Sequence, residues 1–172
     1  LVQKAPVPPQ HHSVHTDPAL TEFTRWLDER QDQEGAEAAR EMAERSALGL
    51  ASELQGPVGE RNVYGLHPRG RILLVPQTLD GLKRQLAAVL ATGNSAIVDE
   101  ASGLKAQFGN LPASVASRIG WAFDWNAAGP FAGALIEGGE ARVLEVNQKI
   151  AGPLVLVQAA TTEELLSDAE AI

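Results

Sequence analysis

The sequence predicts an α/β domain: a mainly parallel sheet of about five strands with helices on both faces, preceded by a helical N-terminal segment. Three observations carry this. From residue 71 onward, short apolar runs alternate with amphipathic stretches, the pattern of strand–helix–strand units. The run RILLV (71–75) is apolar at its last four positions, as expected of a strand buried on both faces. Upstream of it, residues 17–54 repeat apolar side chains at spacings of three and four, which is helical.

Taken in order, residues 1–18 (LVQKAPVPPQHHSVHTDP) hold four prolines and no periodicity, so a stiff linker is expected. Asp17 is placed to cap a helix with Pro18 at its first position. Leu20, Phe23 and Leu27, with Trp26 beside them, form its apolar stripe. Ala36, Ala39, Ala43, Ala47, Leu50 and Leu54 predict a second, longer helix ended by Gly56-Pro57. Its other face carries Glu37, Arg40, Glu41, Glu44 and Arg45, with Glu41 and Arg45 in ion-pair spacing. The expected division is thus a linker over 1–18, a helical segment over 19–55 and the sheet domain over 56–172.

Within the sheet domain, RILLV is the first strand. Leu79, Leu82, Leu86, Val89 and Leu90 face one side of the next helix, and Gly93 supplies its left-handed stop. SAIV (95–98) is the second strand. Asn110 and Pro112 open a short helix, IGWAF (119–123) is the third strand, and AGALIEG (132–138) the fourth. Val143, Val146 and Ile150 stripe a helix ended by Gly152-Pro153. LVLVQ (154–158) is the fifth strand, and Thr161 with Glu164 stand in capping-box spacing at a last helix.

The 172 residues suffice for a real core, and 44% hydrophobic with 21% charged residues is an ordinary globular balance. The net charge of −8 argues against a nucleic-acid or anionic-membrane surface, since both partners need a basic footprint. There is no cysteine, which removes disulfides, thiolate metal sites and cysteine nucleophiles. No run of about 18 apolar residues occurs, so no membrane span is expected. The chain begins at Leu1 without a signal-peptide pattern, and a piece of a larger cytoplasmic polypeptide is expected.

Motifs for chemistry are few. No Gly-x-Gly-x-x-Gly turn exists, and GALIEGG (133–139) lacks the Lys-Ser/Thr of a phosphate loop, so it reads as a turn after a strand. His11, His12 and His15 sit in the proline-flanked linker, where no metal site could pre-organise. No Gly-x-Ser-x-Gly elbow or Ser/His/acid grouping occurs. The pairs Asp99-Glu100 and Glu163-Glu164 fall at strand ends or helix starts, where carboxylates are solvated or favoured by the helix dipole. Trp121, Phe123 and Trp125 are expected to cluster in the core. The stretch ERNVYGLHPRGR (60–71) mixes arginine and aromatic side chains outside regular helix. Arg61, Tyr64, His67 and Arg69 are therefore the candidates for an interdomain contact, and the plainer reading is an extended lead-in to the first strand. No catalytic, cofactor-binding or metal-binding residue is expected.

The run RGRILLVPQTLDGLKRQLAAVLATGNSAIV (69–98) resembles the aldehyde dehydrogenase segment that passes from the first cofactor-domain strand through a helix to the next, which implies a Rossmann-like fold. In active members an Asn after a Pro-Trp pair helps stabilise the oxyanion, where this chain reads Pro76-Gln77-Thr78. Active members also carry a ribose-binding Lys after the second strand, where Asp99-Glu100 stand here, and a catalytic Cys that this chain lacks. The resemblance implies the fold, not the activity.

GERNVYGLHPRGRILL (59–74), LKRQLAAVLATGNSAIV (82–98), LPASVASRI (111–119) and KIAGPLVLVQ (149–158) resemble, in this order, the C-terminal region of long proline utilization A (PutA) proteins, over about residues 56–166. That family joins an FAD-dependent proline dehydrogenase to an NAD-dependent glutamate-semialdehyde dehydrogenase, and its longer forms add a non-catalytic domain, completed by a glycine- and alanine-rich tail that would lie beyond Ile172. The resemblance implies a lid and packing role beside the catalytic modules of the same polypeptide, with FAD and NAD held there and no cofactor here. The alternatives are retained NAD or adenine-nucleotide binding, and a dimerisation module giving a homo-oligomer through the helix over 36–54.

Overall fold

The computed structural model describes residues 16–54, 62–150 and 159–160. Helix α1 (Pro18–Glu29) starts where expected: the Asp17 side chain accepts from the Ala19 amide at 2.8 Å, and Pro18 opens the first turn. Its stripe of Leu20, Phe23, Trp26 and Leu27 is buried. A tight turn follows, with Gln31 at φ +60°, before α2 (Gln33–Arg45), capped by Asp32 accepting from Gly35 N at 3.0 Å. Ala36 and Ala39 are fully buried, and their small side chains let α2 lie close against its neighbours.

The second helix is shorter than its apolar spacing predicts. It ends at Arg45, and Ala51–Leu54 forms strand β1 instead of a last helical turn. The cause is local. Ser46 leaves the helix with extended backbone, its hydroxyl donates to Ala91 O at 2.5 Å, and Gly49 turns the chain at φ +80°. The predicted Glu41–Arg45 pair does form, at 4.0 Å. Strand β2 (Asn62–Gly65) pairs antiparallel with β1, from Ala51 opposite Gly65 to Leu54 opposite Asn62, in a separate two-stranded sheet that the sequence did not announce.

The main sheet then builds through β3 (Arg71–Val75), α3 (Leu79–Ala91), β4 (Ser95–Asp99), a 3-10 turn (Glu100–Ser102), α4 (Lys105–Phe108), α5 (Ala113–Ala116), β5 (Ile119–Ala122), α6 (Trp125–Ala128), β6 (Gly133–Ile136), α7 (Glu140–Ile150) and β7 (Ala159–Ala160), of which the 3-10 turn, α4, α6 and a strand at 159–160 were not expected. The five strands lie in the order β5-β4-β3-β6-β7, and every pairing is parallel. Gly93 ends α3 at φ +69°, where a Cβ would come within 2.9 Å of Pro68 Cγ. The fifth strand expected at 154–158 and the helix expected from Thr161 lie outside the described residues, as do His11, His12 and His15.

Two cores follow from the period-two geometry of the strands. Ile72 and Leu74 of β3, Ala96 and Val98 of β4 and Leu135 of β6 point to one face, where α1, α2 and α3 cover them. Leu73 and Val75 of β3 and Ala134 of β6 point to the other, against Val146 and Ile150 of α7 with Trp125 and Phe131. The expected aromatic cluster is divided by the same geometry. Trp121 packs against the first core, Trp125 belongs to the second, and Phe123 stands 72% exposed just past the end of β5.

The N-terminal helices are part of the first core. Phe23 stacks on Trp26 at 5.7 Å and faces Phe108, and Trp26 Nε1 donates to Asn110 O at 2.6 Å. Arg118 donates to Asp17 Oδ2 at 2.5 Å and to Gly93 O at 2.9 Å, so one guanidinium joins the start of α1 to the end of α3.

Candidate functional site at the sheet switch point

Strand order reverses between β3 and β6, since the chain runs outward from β3 through β4 to β5 and then crosses back to β6. In open parallel sheets, ligands settle in the crevice outside the carboxyl ends of the strands at this point. The residues there are Pro76, Gln77 and Thr78 after β3, the first turn of α3, and Glu137 and Gly138 after β6.

Thr78 caps α3, its hydroxyl oxygen accepting from Gly81 N at 2.9 Å. Glu137 reaches across from β6 to the same loop. Its Oε2 accepts from Gln77 N at 2.6 Å and Thr78 N at 2.9 Å, and its Oε1 accepts from the Thr78 hydroxyl at 2.7 Å. Burial resists ionisation of this carboxyl, but the bonds from the Thr78 hydroxyl and from the Thr78 and Gln77 amides outweigh it and the nearby charge of Asp80, holding its pKa below the usual 4.5. A Cβ on Gly81 would overlap the Glu137 carboxylate, so any other residue there requires that side chain to move. Gly138 sits at φ +137°, a backbone region that L side chains avoid.

Asp99 ends the second parallel strand, where dinucleotide-binding sheets place the acid that holds a ribose. It is buried, and its Oδ1 accepts from Ala101 N at 3.2 Å and Trp125 Nε1 at 3.1 Å. Glu100 pairs with Lys105 at 2.8 Å. Asp99 thus caps the 3-10 turn as an acid at a helix start does, but it is buried and not solvated, and Glu100 is held by an ion pair.

Of the interdomain-contact candidates, Tyr64 is half-buried on β2, while His67 and Arg69 are exposed on the segment leading to β3. Arg61 lies outside the described residues. Sequence reasoning missed Glu137, and the signal available was indirect: an acid followed by Gly138-Gly139, facing a glycine at the third position of a predicted helix. Among the described residues, no group of three or more His, Asp or Glu is arranged to hold a metal ion, and no helix is long and apolar enough to cross a membrane.

No protein-family model matches the chain. Bifunctional protein PutA of Rhizobium meliloti is 58% identical over 174 residues, covering 99% of this chain and 14% of that protein. Bifunctional protein PutA of Salmonella typhimurium is 32% identical over 143 residues, covering 81% of this chain and 11% of that one. The similarity to the first takes in nearly the whole chain, so it extends beyond the 56–166 of the sequence resemblance and includes the N-terminal helices. Among solved structures, Staphylococcus aureus AldH in a substrate-bound state superposes with a TM-score of 0.60 at 14% identity, over 85% of this chain and 41% of that one. A PutA structure with proline bound in remote sites superposes with a TM-score of 0.58 at 20% identity, over 85% of this chain and 19% of that one. These structural likenesses establish the fold. With 58% identity along almost its full length, the chain belongs to the PutA family, as a stretch matching 14% of its Rhizobium meliloti relative.

Proposed function

We propose that this chain is a non-catalytic C-terminal domain of a bifunctional PutA protein, one that oxidises proline and then glutamate semialdehyde, and that it packs over the catalytic modules as a lid for the channelled intermediate. FAD and NAD belong to those modules, and NAD has no seat here. The observation that carries this reading is the state of the switch-point crevice. The groups that would receive a nucleotide are engaged with one another, Glu137 with the loop before α3 and Asp99 with Trp125. The absence of any cysteine supports it, since an aldehyde dehydrogenase acts through a thiolate.

The contact surface is the two-stranded sheet of β1 and β2 and the segment after it, with Arg61, Tyr64, His67 and Arg69 as its anchors. An isolated two-stranded sheet is marginal in water and its outer edges invite further pairing. Leu54 and Val63 on this small sheet are 52% and 55% exposed, which suits a surface covered by the rest of a longer polypeptide. The test is coupled turnover, from proline to NADH, in full-length PutA with and without this region. The lag before NADH appears lengthens on deletion, and an unchanged lag with both activities intact would sink the channelling role.

A further inference from the structure

Strand β5 is an open edge. It stands last in the order β5-β4-β3-β6-β7 and pairs with β4 and no other described strand. Arg118 O accepts from Ala96 N at 2.8 Å, so by the alternation of a parallel ladder Arg118, Gly120 and Ala122 turn their backbone groups to β4. The N–H and C=O of Ile119 and Trp121 point outward, and among the described residues no hydrogen bond reaches them. We propose that this edge takes a second copy of the chain, whose β5 pairs with it antiparallel about a two-fold axis at Trp121 and joins the two sheets into one. The inference is independent of the lid role above, which uses the other, smaller sheet.

Three observations point to a second copy. First, the edge carries no safeguard against pairing except its shortness. IGWA (119–122) has no charge and no proline, and its register with β4 runs without a bulge from Ala96 opposite Ile119 to Asp99 opposite Ala122. Second, the most exposed large apolar side chain among the described residues, Phe123 at 72%, stands at the end of this edge. Third, the stretch RIGWAFD (118–124) complements its own reverse. With Trp121 on the axis, Trp121 faces Trp121, Ile119 faces Phe123, Gly120 faces Ala122 and Arg118 stands opposite Asp124. Large meets large, small meets small and unlike charges meet, which is the self-complementarity that a two-fold interface demands. Arg118 is already bonded to Asp17 and Gly93 O, so its part is to keep like charges apart in this register and not to drive association. A register centred on Gly120 also sets outward groups against each other, but it leaves Phe123 opposite Ser117 and Arg118 opposite Ala122. A strand of unrelated sequence gains the backbone bonds without this matching of side chains.

The contact spans few residues, so a weak and reversible dimer is expected. Sedimentation of the whole chain over a range of concentrations reads it. Phe123→Lys puts a charge on the edge at an exposed position and weakens the dimer roughly tenfold or more. Leu144→Lys, which changes another exposed apolar side chain on α7, leaves it unchanged. The chain has no cysteine, so single cysteines report the register under mild oxidation. Two copies of Trp121→Cys bring their Cα atoms to about 5.5 Å, within disulfide reach. Two copies of Phe123→Cys lie four strand positions apart, about 14 Å, and link far more slowly, although Phe123 is the more exposed residue. The lysine variants decide the matter alone should the loss of Trp121 from the first core unfold its cysteine variant. The proposal is overturned if the chain stays monomeric up to millimolar concentration, if Leu144→Lys disrupts the dimer as much as Phe123→Lys, or if Phe123→Cys crosslinks as fast as Trp121→Cys. It also falls if the Trp121 amide is protected from hydrogen exchange in full-length PutA diluted to the monomer, since a strand of the same polypeptide then holds the edge.

Discussion

Glu137 is the residue on which the switch point turns, and its protonation gives a measurable signature. Its carboxyl has a lowered pKa in the folded chain, so its contribution is present above the unfolded value near 4.5 and is lost as pH falls through the folded value. Asp80 is the charged neighbour that opposes ionisation, and the Thr78 and Gln77 donors favour it. Urea denaturation should show Glu137→Gln less stable than the wild type by about 1–2 kcal/mol at neutral pH, the scale of a hydrogen-bonded charge. The difference should close in acid below the usual glutamate range. A gap that stays constant from neutral pH down into that range would mean that the carboxylate charge contributes nothing.

Two elements show how far the sequence carries. Helix α1 was legible because its cap, its proline and its stripe all point to one start and one face, and each is realised. Phe23 lies at its centre, fully buried between Trp26 and Phe108. Phe23→Ala should cost about 3–5 kcal/mol, the range for a large aromatic leaving a cavity, read as a lower urea midpoint. A loss under 1 kcal/mol would show that the aromatic packing is loose.

Helix α2 was overextended because Ala47 and Leu50 keep helical spacing after the helix has stopped. What stops it, Ser46 bonding to Ala91 O, depends on a partner 45 residues away. Strands β1 and β2 were missed for a related reason: ASEL and NVYG are four residues each, too short to announce a period of two, and NVYG has no buried residue that would fix one. Phe123 was misread because hydrophobicity alone does not say which residue lies past the last rung of a strand. In the candidate site, Asp99 and Glu100 were legible as acids at a helix start, whereas the burial of Asp99 against Trp125 and the donors that Glu137 finds across the sheet lie beyond any spacing rule.

At the scale of the molecule, β3 is the shared wall of two cores, one covered by α1, α2 and α3 and the other by α7 with Trp125 and Phe131. The first core loses a whole wall if α1 is removed, since Leu20, Phe23, Trp26 and Leu27 all contribute to it. A chain lacking residues 1–31 should therefore fail to unfold cooperatively and should bind a hydrophobic dye strongly at neutral pH, as loosely packed states do. A sharp thermal transition near that of the intact chain would show instead that the sheet folds without its helical cover. The same reasoning makes the N-terminal helices a component of the sheet domain and not merely a tether to it.

The bonds that hold α1 in place also set an order in time. Asp17 is fixed by Arg118, 101 residues later, and Trp26 by the carbonyl of Asn110, 84 residues later. At a synthesis rate of about 5–20 residues per second, α1 leaves the ribosome roughly 5–20 seconds before its anchors exist. Through that interval α1 lacks both bonds, so among the described helices the first to be made is among the last to be fixed in place.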